Sequence, residues 1–503
     1  MADTKREIER KYESDDSGLP DMTGVGGVAA VLDKGLVDLD ATYYDTADER
    51  LAADSLTLRR RTGGSDAGWH LKFPVAPGVR DEIRAPLSDT VPEEIAALVR
   101  SRVRDAELIP LVRLRSARDV RHLIDAEGTL LAEASLDTVT AERLTGKRRA
   151  AQWTEIEVEL ADGGDPALLD RLEKRLRRSG VRPAAAPSKL ARALELTGGS
   201  RRRRRRGEAG PRPPVTAGDH VLAYLRAQRD TLVELDPAVR RGLPDSVHRM
   251  RVATRRARSA LRTFGTLLDR TVTDPVGAEL AWLAGELGID RDQEVLADRL
   301  TTALEALPPA LVTGPVPARL AAWAEARHSG AHAHLTGVLD SRRYLTLLDT
   351  LDALLTDPPL RKAAGKKPEK ALTKAVRKDE KKLTAVVEHA LELPPGEERD
   401  LALHEARKKA KRTRYAAEAV TEALGTPARS LTRSMKSLTT LLGDHQDSVM
   451  ARRTLRELAA VAGAAGESTF TYGLLYGREE ARAAATEAEL SRRWTEIASG
   501  ATG

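Results

Sequence analysis

The 503-residue sequence has no cysteine. That excludes disulfides, iron–sulfur clusters, thiolate zinc sites and thiol nucleophiles. Aromatic residues make up only 3%. A core must then be built from Leu, Val and Ala, which favours helices over a large β-sandwich. No uncharged apolar run reaches the roughly 18 residues of a membrane-spanning helix, and Met1–Lys11 is charged, without the apolar stretch of a secretory signal. A cytoplasmic protein is therefore expected. There is no P-loop, no GxSxG nucleophile elbow and no HExxH zinc motif. Gly24-Val25-Gly26-Gly27 lacks the preceding strand and the last glycine of a dinucleotide loop.

Charge is abundant and unevenly placed. Of 82 Lys+Arg and 76 Asp+Glu, residues 1–200 carry 31 and 36, a net of −5, and the remainder 51 and 40, a net of +11; the two sums return the +6 total. The joint is Gly198–Gly218, which contains the run Arg201–Arg206. Glycine, proline and like charges cannot bury enough apolar surface to offset ordering entropy, so this stretch reads as a mobile linker. Its arginines are either a solvated tether or an auxiliary polyanion contact. The expected organisation is a first domain at 1–197, a linker at 198–218 and a second domain at 219–500.

Before the joint the pattern has period two. It runs through Glu7–Lys11, Leu56–Arg61, Trp69–Phe73, Leu111–Arg115 and Trp153–Leu160. Helical stretches are expected near Thr23–Gly35 and Asp165–Gly180, which makes the domain mainly antiparallel β with helices outside. Alternate residues of a strand share a face. Glu7, Glu9 and Lys11 therefore point together, as do Glu155, Glu157 and Glu159. The same holds for Arg59 with Arg61, His70 with Lys72, Glu82 with Arg84, and Arg113 with Arg115. One charged strand face is ordinarily solvated. Six such faces on a sheet that closes must line a lumen. Carboxylates crowded there repel unless cations sit between them, and guanidiniums repel unless anions do. Such a lumen suits a divalent metal with a polyphosphate.

The Glu7-x-Glu9-x-Lys11 start, Tyr43-Tyr44-Asp45-Thr46, Leu58–Arg61, Trp69–Lys72, Glu155-x-Glu157-x-Glu159 and Pro187-Ser188-Lys189 resemble the CYTH superfamily of triphosphate tunnel enzymes over residues 4–197. The resemblance implies an antiparallel tunnel barrel and metal-dependent hydrolysis of triphosphates with Mg²⁺ or Mn²⁺. It implies that Glu7, Glu9, Glu157 and Glu159, joined by Asp137, hold the metal, with Glu155 a ligand or an orienting partner. It also implies that Lys11, Arg59, Arg61, Lys72, Arg113 and Arg115 bind phosphates, with Arg84 and Lys189 as weaker candidates.

After the joint the period becomes 3.6, with eight to ten helices and no sheet expected. His248–Arg258 matches His404–Arg414 at an offset of 156, and Leu287–Asp292 matches Leu442–Asp447 at 155. Two motifs repeated in order describe a duplicated helical bundle with pseudo-twofold symmetry. At 100° per residue, His248, Arg251, Arg255, Arg258 and Arg262 fall within about 80° of the helix circumference. His404, Arg407, Lys411 and Arg414 do the same, with Lys408 beside them. Each stripe alone is ordinarily a solvated face. Two equivalent stripes can meet across the pseudo-twofold axis. His248-x-x-Arg251, His404-x-x-Arg407, Ser341–Tyr344 and both Leu-Gly…Asp turns resemble the CHAD domain, a helical module associated with polyphosphate, over residues 215–500. That resemblance implies inorganic polyphosphate as a partner and leaves polyphosphate granules open as a location. The histidines read equally as core hydrogen-bonders or as phosphate donors, and His332 and His334 as incidental.

The expected function is thus a triphosphatase, with inorganic triphosphate as the first expected substrate and other triphosphates left open, tethered to a polyphosphate-binding bundle. The alternatives are a non-catalytic polyphosphate-binding protein, a nucleic-acid-binding protein and a class IV adenylyl cyclase. Sparse aromatics disfavour base stacking, and no base-selective site is visible.

Overall fold

The computed structural model describes residues 3–14, 18–146, 149–198, 213–328 and 330–498. The chain divides into Met1–Arg212 and Pro213–Gly503. The Arg201–Arg206 run lies outside the described residues.

In the first unit the alternating runs are strands. They are β1 (Asp3–Ser14), β2 (Ala30–Asp45), β3 (Thr57–Thr62), β4 (Gly68–Ala76), β5 (Val79–Ala85), β6 (Ile109–Ile124), β7 (Leu130–Arg143), β8 (Ala150–Leu160) and the two-residue β9 (Arg182–Pro183). All neighbours pair antiparallel in the order β5-β4-β3-β2-β6-β7-β8-β1, and β1 returns to β5, closing an eight-stranded barrel. Closure removes the sheet edges and creates an inside. The expected helix near Thr23–Gly35 is absent. Val28–Leu32 is an apolar run of ambiguous period, and β2 takes it up by pairing with β6 from Ala30↔Ile124, with a bulge between Asp33 and Gly35, where Gly35 has φ +86.

The packing of this barrel is inverted relative to a filled one. Much of its hydrocarbon lies on the outer face. There α2 (Glu93–Val103) covers Leu58, Trp69, Leu71 and Ile83 with Ile95, Leu98 and Val99. The expected helix near Asp165–Gly180 is α3 (Ala167–Arg178), which covers Tyr12, Ile156 and Val158 with Leu168, Leu172 and Leu176. Each buried leucine contributes roughly 1.5–3 kcal/mol. One end is closed differently. Leu190, Ala193 and Leu194 of α4 (Lys189–Leu196) cluster with Ala41, Tyr43, Val112, Leu114, Val139, Ala141 and Trp153. This apolar plug leaves the rest of the bore to charged groups. Asp45 fixes the turn that follows β2. Buried, it accepts backbone N–H bonds from Thr46 (2.7 Å), Leu51 (2.9 Å) and Ala52 (2.9 Å) at α1 (Arg50–Ala53).

The second unit contains twelve α-helices among its described residues, more than the eight to ten expected. The first, α5 (Ala217–Arg240), starts two residues before the expected boundary, at a capping box between Thr216 and Asp219. The two histidine-headed segments are α6 (Ser246–Thr263) and α13 (Glu397–Ala419), and the two helices pack against each other. The intervening helices are α7 (Arg270–Glu286), α8 (Ile289–Glu305), α9 (Val316–His328), α10 (Ala331–Asp340), α11 (Arg342–Thr356) and α12 (Pro368–Glu392). The chain ends with the one-turn α14 (Thr421–Leu424), then α15 (Thr426–Ala464) and α16 (Phe470–Ala498). Only the first Leu-Gly…Asp motif sits at a helix junction, with Gly288 before α8. Leu442–Asp447 runs inside the continuous α15. The two glycines share another property. A Cβ on Gly288 would lie 2.8 Å from Arg251 Nη2, and one on Gly443 would lie 3.8 Å from Arg407 Nε. Each glycine gives room to the equivalent arginine of its own repeat.

Candidate functional site

A cavity of about 560 Å³ occupies the bore, lined by residues of β1–β8 and α4. Register places its charges. Lys11 pairs with Glu157 and Glu9 with Glu159 across β1 and β8, and Lys72 with Glu82 across β4 and β5. Alternate residues then share the inner face, and Glu7, Glu9, Lys11, Arg59, Arg61, Lys72, Arg84, Glu157, Glu159 and Lys189 all line the cavity.

The deep end is a knot of opposite charges. Lys189 is carried into it by α4, whose first turn is capped by Ser188 accepting from Ala191 N at 3.1 Å. Its ammonium touches Asp137 (2.8 Å), Glu155 (2.8 Å) and Glu157 (2.5 Å). Arg118 binds Asp137 through two nitrogens at 2.7 Å each and Glu157 at 2.6 Å. Lys11 bridges Glu9 at 2.7 Å and Glu157. Burial works against the Glu157 charge, yet Lys11, Lys189 and Arg118 hold its carboxyl well below the usual range. Asp137, Glu155 and Glu157 present oxygens close enough to share one metal ion. Trp153 Nε1 donates to Glu155 at 2.6 Å, which fixes that carboxylate.

Toward β5 the hub is Glu82, fully buried. It contacts Arg84 at 2.5 Å, His70 at 2.9 Å, Lys72 at 3.4 Å and Arg59 at 3.6 Å. Burial opposes its charge, but His70, Lys72 and Arg59 outweigh it and the carboxyl is strongly lowered. His70 itself is pushed down to about 4, chiefly by burial, although both of its ring nitrogens face acceptors, Nδ1 against Glu82 and Nε2 against Asp66 O, each at 2.9 Å. Lys72 also bonds Glu7. Lys5 bonds Glu159 at 2.7 Å at the mouth.

Two of the expected phosphate ligands are not brought to the bore. Arg113 and Arg115 ion-pair with Asp40 at 2.5 Å and 3.6 Å, and their side chains are 40% and 61% exposed. The inward parity of β6 is the even one, carrying Arg118, Val120 and His122 into the cavity. Arg118 takes the place that sequence reasoning gave to its odd-numbered neighbours. Glu82, Arg80 and Lys5 were also missed. The sequence signal for Glu82 was its shared face with Arg84, and for Lys5 its period-two continuation of Glu7 and Glu9.

In the second unit the two basic stripes meet. Lys411 on α13 lies in the field of Arg255 and Arg251 on α6 as well as Arg407 and Arg414 on its own helix. Arg414 also lies 4.9 Å from the Tyr415 ring centroid and 3.4 Å from Glu418. Arg258 is half-buried, and burial and Arg262 lower its pKa. His248, Arg262 and Lys408 are exposed, and Lys408 pairs with Glu405. His404 Nδ1 is 2.7 Å from Gln446 Oε1, and burial pushes its pKa down. His334 bonds Glu286 at 2.7 Å.

Comparison with known proteins agrees with this two-part geometry. A CYTH domain matches residues 5–193 and a CHAD domain residues 223–456. The chain joins a CYTH domain to a CHAD domain. Two uncharacterized proteins of Mycobacterium tuberculosis, from strains CDC 1551 / Oshkosh and ATCC 25618 / H37Rv, are each 41% identical to it over 94% of this chain and 92% of their own. PptA from Streptomyces chartreusis is similar over 56% of this chain and 100% of its own, at 24% identity and a TM-score of 0.48. The CHAD domain from the plant Ricinus communis is similar over 56% and 92%, at 25% identity and a TM-score of 0.45. No helix among the described residues is long and apolar enough to cross a membrane.

The CHAD unit also contains a buried charge clasp. His445 Nε2 lies 3.0 Å from Glu487 and 3.4 Å from Asp400, joining α15, α16 and α13. Arg399 and Arg452 neutralise the two carboxylates at 3.1 Å and 3.0 Å. Burial disfavours the imidazolium, but Asp400 and Glu487 prevail and raise its pKa above 6.5. A raised folded-state pKa stabilises below the unfolded value, and that contribution is lost as pH rises through the folded value. The thermal midpoint of the CHAD unit in the full chain is therefore expected to fall as pH rises from about 6.5. His445→Gln should flatten that slope, and an unchanged slope would exclude the clasp as its source.

Proposed function

We propose that the CYTH unit hydrolyses a triphosphate, releasing phosphate with a divalent cation bound, and that the CHAD unit binds linear inorganic polyphosphate. The observation that carries the first half is that the bore holds buried groups of both signs whose charge is incompletely matched. Arg61 pairs with Asp66, yet burial and the neighbouring Arg59 and Arg118 still push it down to about 9. The buried Nε atoms of Arg59 and Arg61 have no hydrogen-bond partner. A phosphate chain supplies oxygens for such donors. Conversely, burial together with Glu82 and Glu159 pushes the Glu7 carboxyl up in spite of Lys72. A cation would relieve it.

The donors available to a metal are carboxylate oxygens, which fit Mg²⁺ or Mn²⁺. Glu7, Glu9, Glu157 and Glu159, with Asp137 behind Glu157, would hold it. When bound it would neutralise phosphate oxygens. The chain's own cations do the positioning. Lys11, Lys72 and Lys189 would meet the phosphates with ammonium heads, and Arg59, Arg61, Arg84 and Arg118 with planar forks. The reaction is triphosphate plus water giving diphosphate plus phosphate. A pure anion-binding protein would gain nothing from the buried carboxylates, which is why hydrolysis is preferred to passive binding.

The test is a phosphate-release panel on the full chain, covering inorganic, thiamine and nucleoside triphosphates with Mg²⁺ and with Mn²⁺. Inorganic triphosphate should be cleaved, and Glu9→Ala should abolish release. No release from any substrate would overturn the reading. Within it, Arg118→Ala is expected to lower kcat/KM roughly 100-fold, the scale of losing one aimed charge-stabilising donor. Arg113→Ala should change it by less than about twofold, since an exposed pair contributes about 0–1 kcal/mol. Equal losses in the two variants would mean the inner face of β6 has been misassigned.

A further inference from the structure

The barrel wall has a seam along β1. One edge of β1 pairs with β5 from Asp3 to Ile8, and that ladder ends where Glu9 N donates to Gly78 O at 2.9 Å. Then the partner changes. Ala184 N donates to Lys11 O at 2.9 Å, and β9 pairs with Tyr12 and Glu13. A second cavity, of about 600 Å³, is lined by both the β4–β5 hairpin and residues 183–187. Hairpin residues 74–78 are exposed, so this cavity opens to solvent. At its inner end it shares Glu9, Lys11 and Arg80 with the bore. Those three side chains form the partition. Lys11 bonds Glu9 at 2.7 Å, and Arg80 Nε lies 4.0 Å from the other oxygen of that carboxylate. The Arg80 fork reaches Pro187 O at 3.1 Å and Ser55 O at 3.4 Å, with the side chain only 10% exposed. Beyond it the wall is mostly proline and alanine. The further cation there, Arg10, is paired with Asp170 and Glu173.

We propose that this seam is a side exit, through which the phosphate product lying against Lys11 leaves the bore, with Arg80 as its gate. The proposal rests on the hydrolysis reading above and adds the route of one product. Hydrolysis leaves two anions in a bore whose far end is plugged by α4. Without a second opening, the deeper anion is held until the other has left by the mouth. The seam meets the bore at Lys11, inside the deep knot of charge. The oxygens that now hold the Arg80 fork, on Pro187 and Ser55, are neutral carbonyls. A phosphate oxygen is ionised and binds a guanidinium more strongly. The departing anion therefore draws Arg80 off its carbonyls and opens the gate itself. Past the gate, the proline and alanine wall has no charge to retain it.

The experiment exploits the absence of cysteine from the full chain. Ala186→Cys places a single thiol on the wall of the side cavity and outside the bore, where a bulky methanethiosulfonate label blocks the passage reversibly. Ala185→Cys, next to it but not on that wall, carries the same label as the control. Product release follows the irreversible step, so slowing it lowers kcat and KM together and leaves kcat/KM alone. With inorganic triphosphate, labelled Ala186→Cys should lose roughly tenfold in kcat, keep kcat/KM within about twofold, and show a first-turnover burst in quenched samples. Reduction should remove the label and restore the rate, and the labelled control should match its unlabelled form. Assaying free orthophosphate and free diphosphate separately shows which product the label retains. Full kcat without a burst in labelled Ala186→Cys overturns the exit. So does a loss of kcat/KM in step with kcat, because the label would then be acting on the bore. No phosphate release from the unlabelled protein overturns the hydrolysis reading, and the exit with it.

Discussion

Replacing Glu157 with glutamine is expected to reduce phosphate release about a thousandfold and to destabilise the CYTH unit by roughly 3–5 kcal/mol. The size follows from how many buried groups depend on one carboxylate. Lys11, Arg118 and Lys189 all bind it, with side chains only 15%, 19% and 10% exposed. Glutamine keeps the shape but returns no charge to these cations. The lysines can shed protons, whereas Arg118 must keep its charge. The carboxyl lies well below 4.5 in the folded protein, so its contribution is present above that pH and is lost as pH falls through the folded value. Wild type and the variant should therefore converge in stability in strong acid. Two measurements check this: phosphate release under saturating metal, and thermal midpoint against pH. Glu133→Gln is the control, since Glu133 lines the same cavity but is 38% exposed. It should stay within about 0.5 kcal/mol of wild type. Wild-type turnover in Glu157→Gln would remove the bore from the chemistry.

What the sequence made legible was periodicity, and what it left open was direction. Period two in Glu7–Lys11 and Trp153–Leu160 identifies β1 and β8 and says which residues share a face. It does not say that Lys11 stands opposite Glu157 or that Glu9 stands opposite Glu159, because register is a tertiary property. The β6 strand shows the cost. Both of its faces carry arginine, and the inner face changes from Val112 and Leu114 beside the α4 plug to Arg118 in the charged bore. Alternation put Arg113 and Arg115 on one face, and the family resemblance gave that face to the phosphates. Glu82 was likewise readable as a polar face residue, but its role as a hub comes from β4 and β5 bringing His70, Lys72 and Arg84 around it. In the CHAD unit the 156-residue offset exposed the duplication. The repeated glycine looked like a turn signal, whereas in the second copy it lies inside a helix, beside Arg407. Clearance for a side chain leaves the same glycine in a sequence as a chain reversal does.

That clearance leads to the other large effect. Arg251 and Arg407 are equivalent in the two repeats, each lies beside its own glycine, and both act on Lys411. Each should grip phosphate with a charge-assisted bond contributing about 1.5–3 kcal/mol. Arg251→Ala and Arg407→Ala are each expected to weaken polyphosphate binding by roughly 10- to 100-fold and to flatten its salt dependence, since fewer counterions are released. The double variant should lose less than the product of the two. Both guanidiniums act on the one Lys411, so the sites couple instead of adding. Gly288→Ala supplies an independent check, because its new methyl would meet Arg251 Nη2 at 2.8 Å and Cζ at 3.0 Å. It should reproduce part of the Arg251→Ala loss, whereas Gly443→Ala, with Arg407 Nε 3.8 Å away, should be mild. Binding titrations at two salt concentrations read all five proteins. Strict additivity, or equal losses from the two glycine variants, would show that the basic stripes bind as separate surfaces and do not form one face.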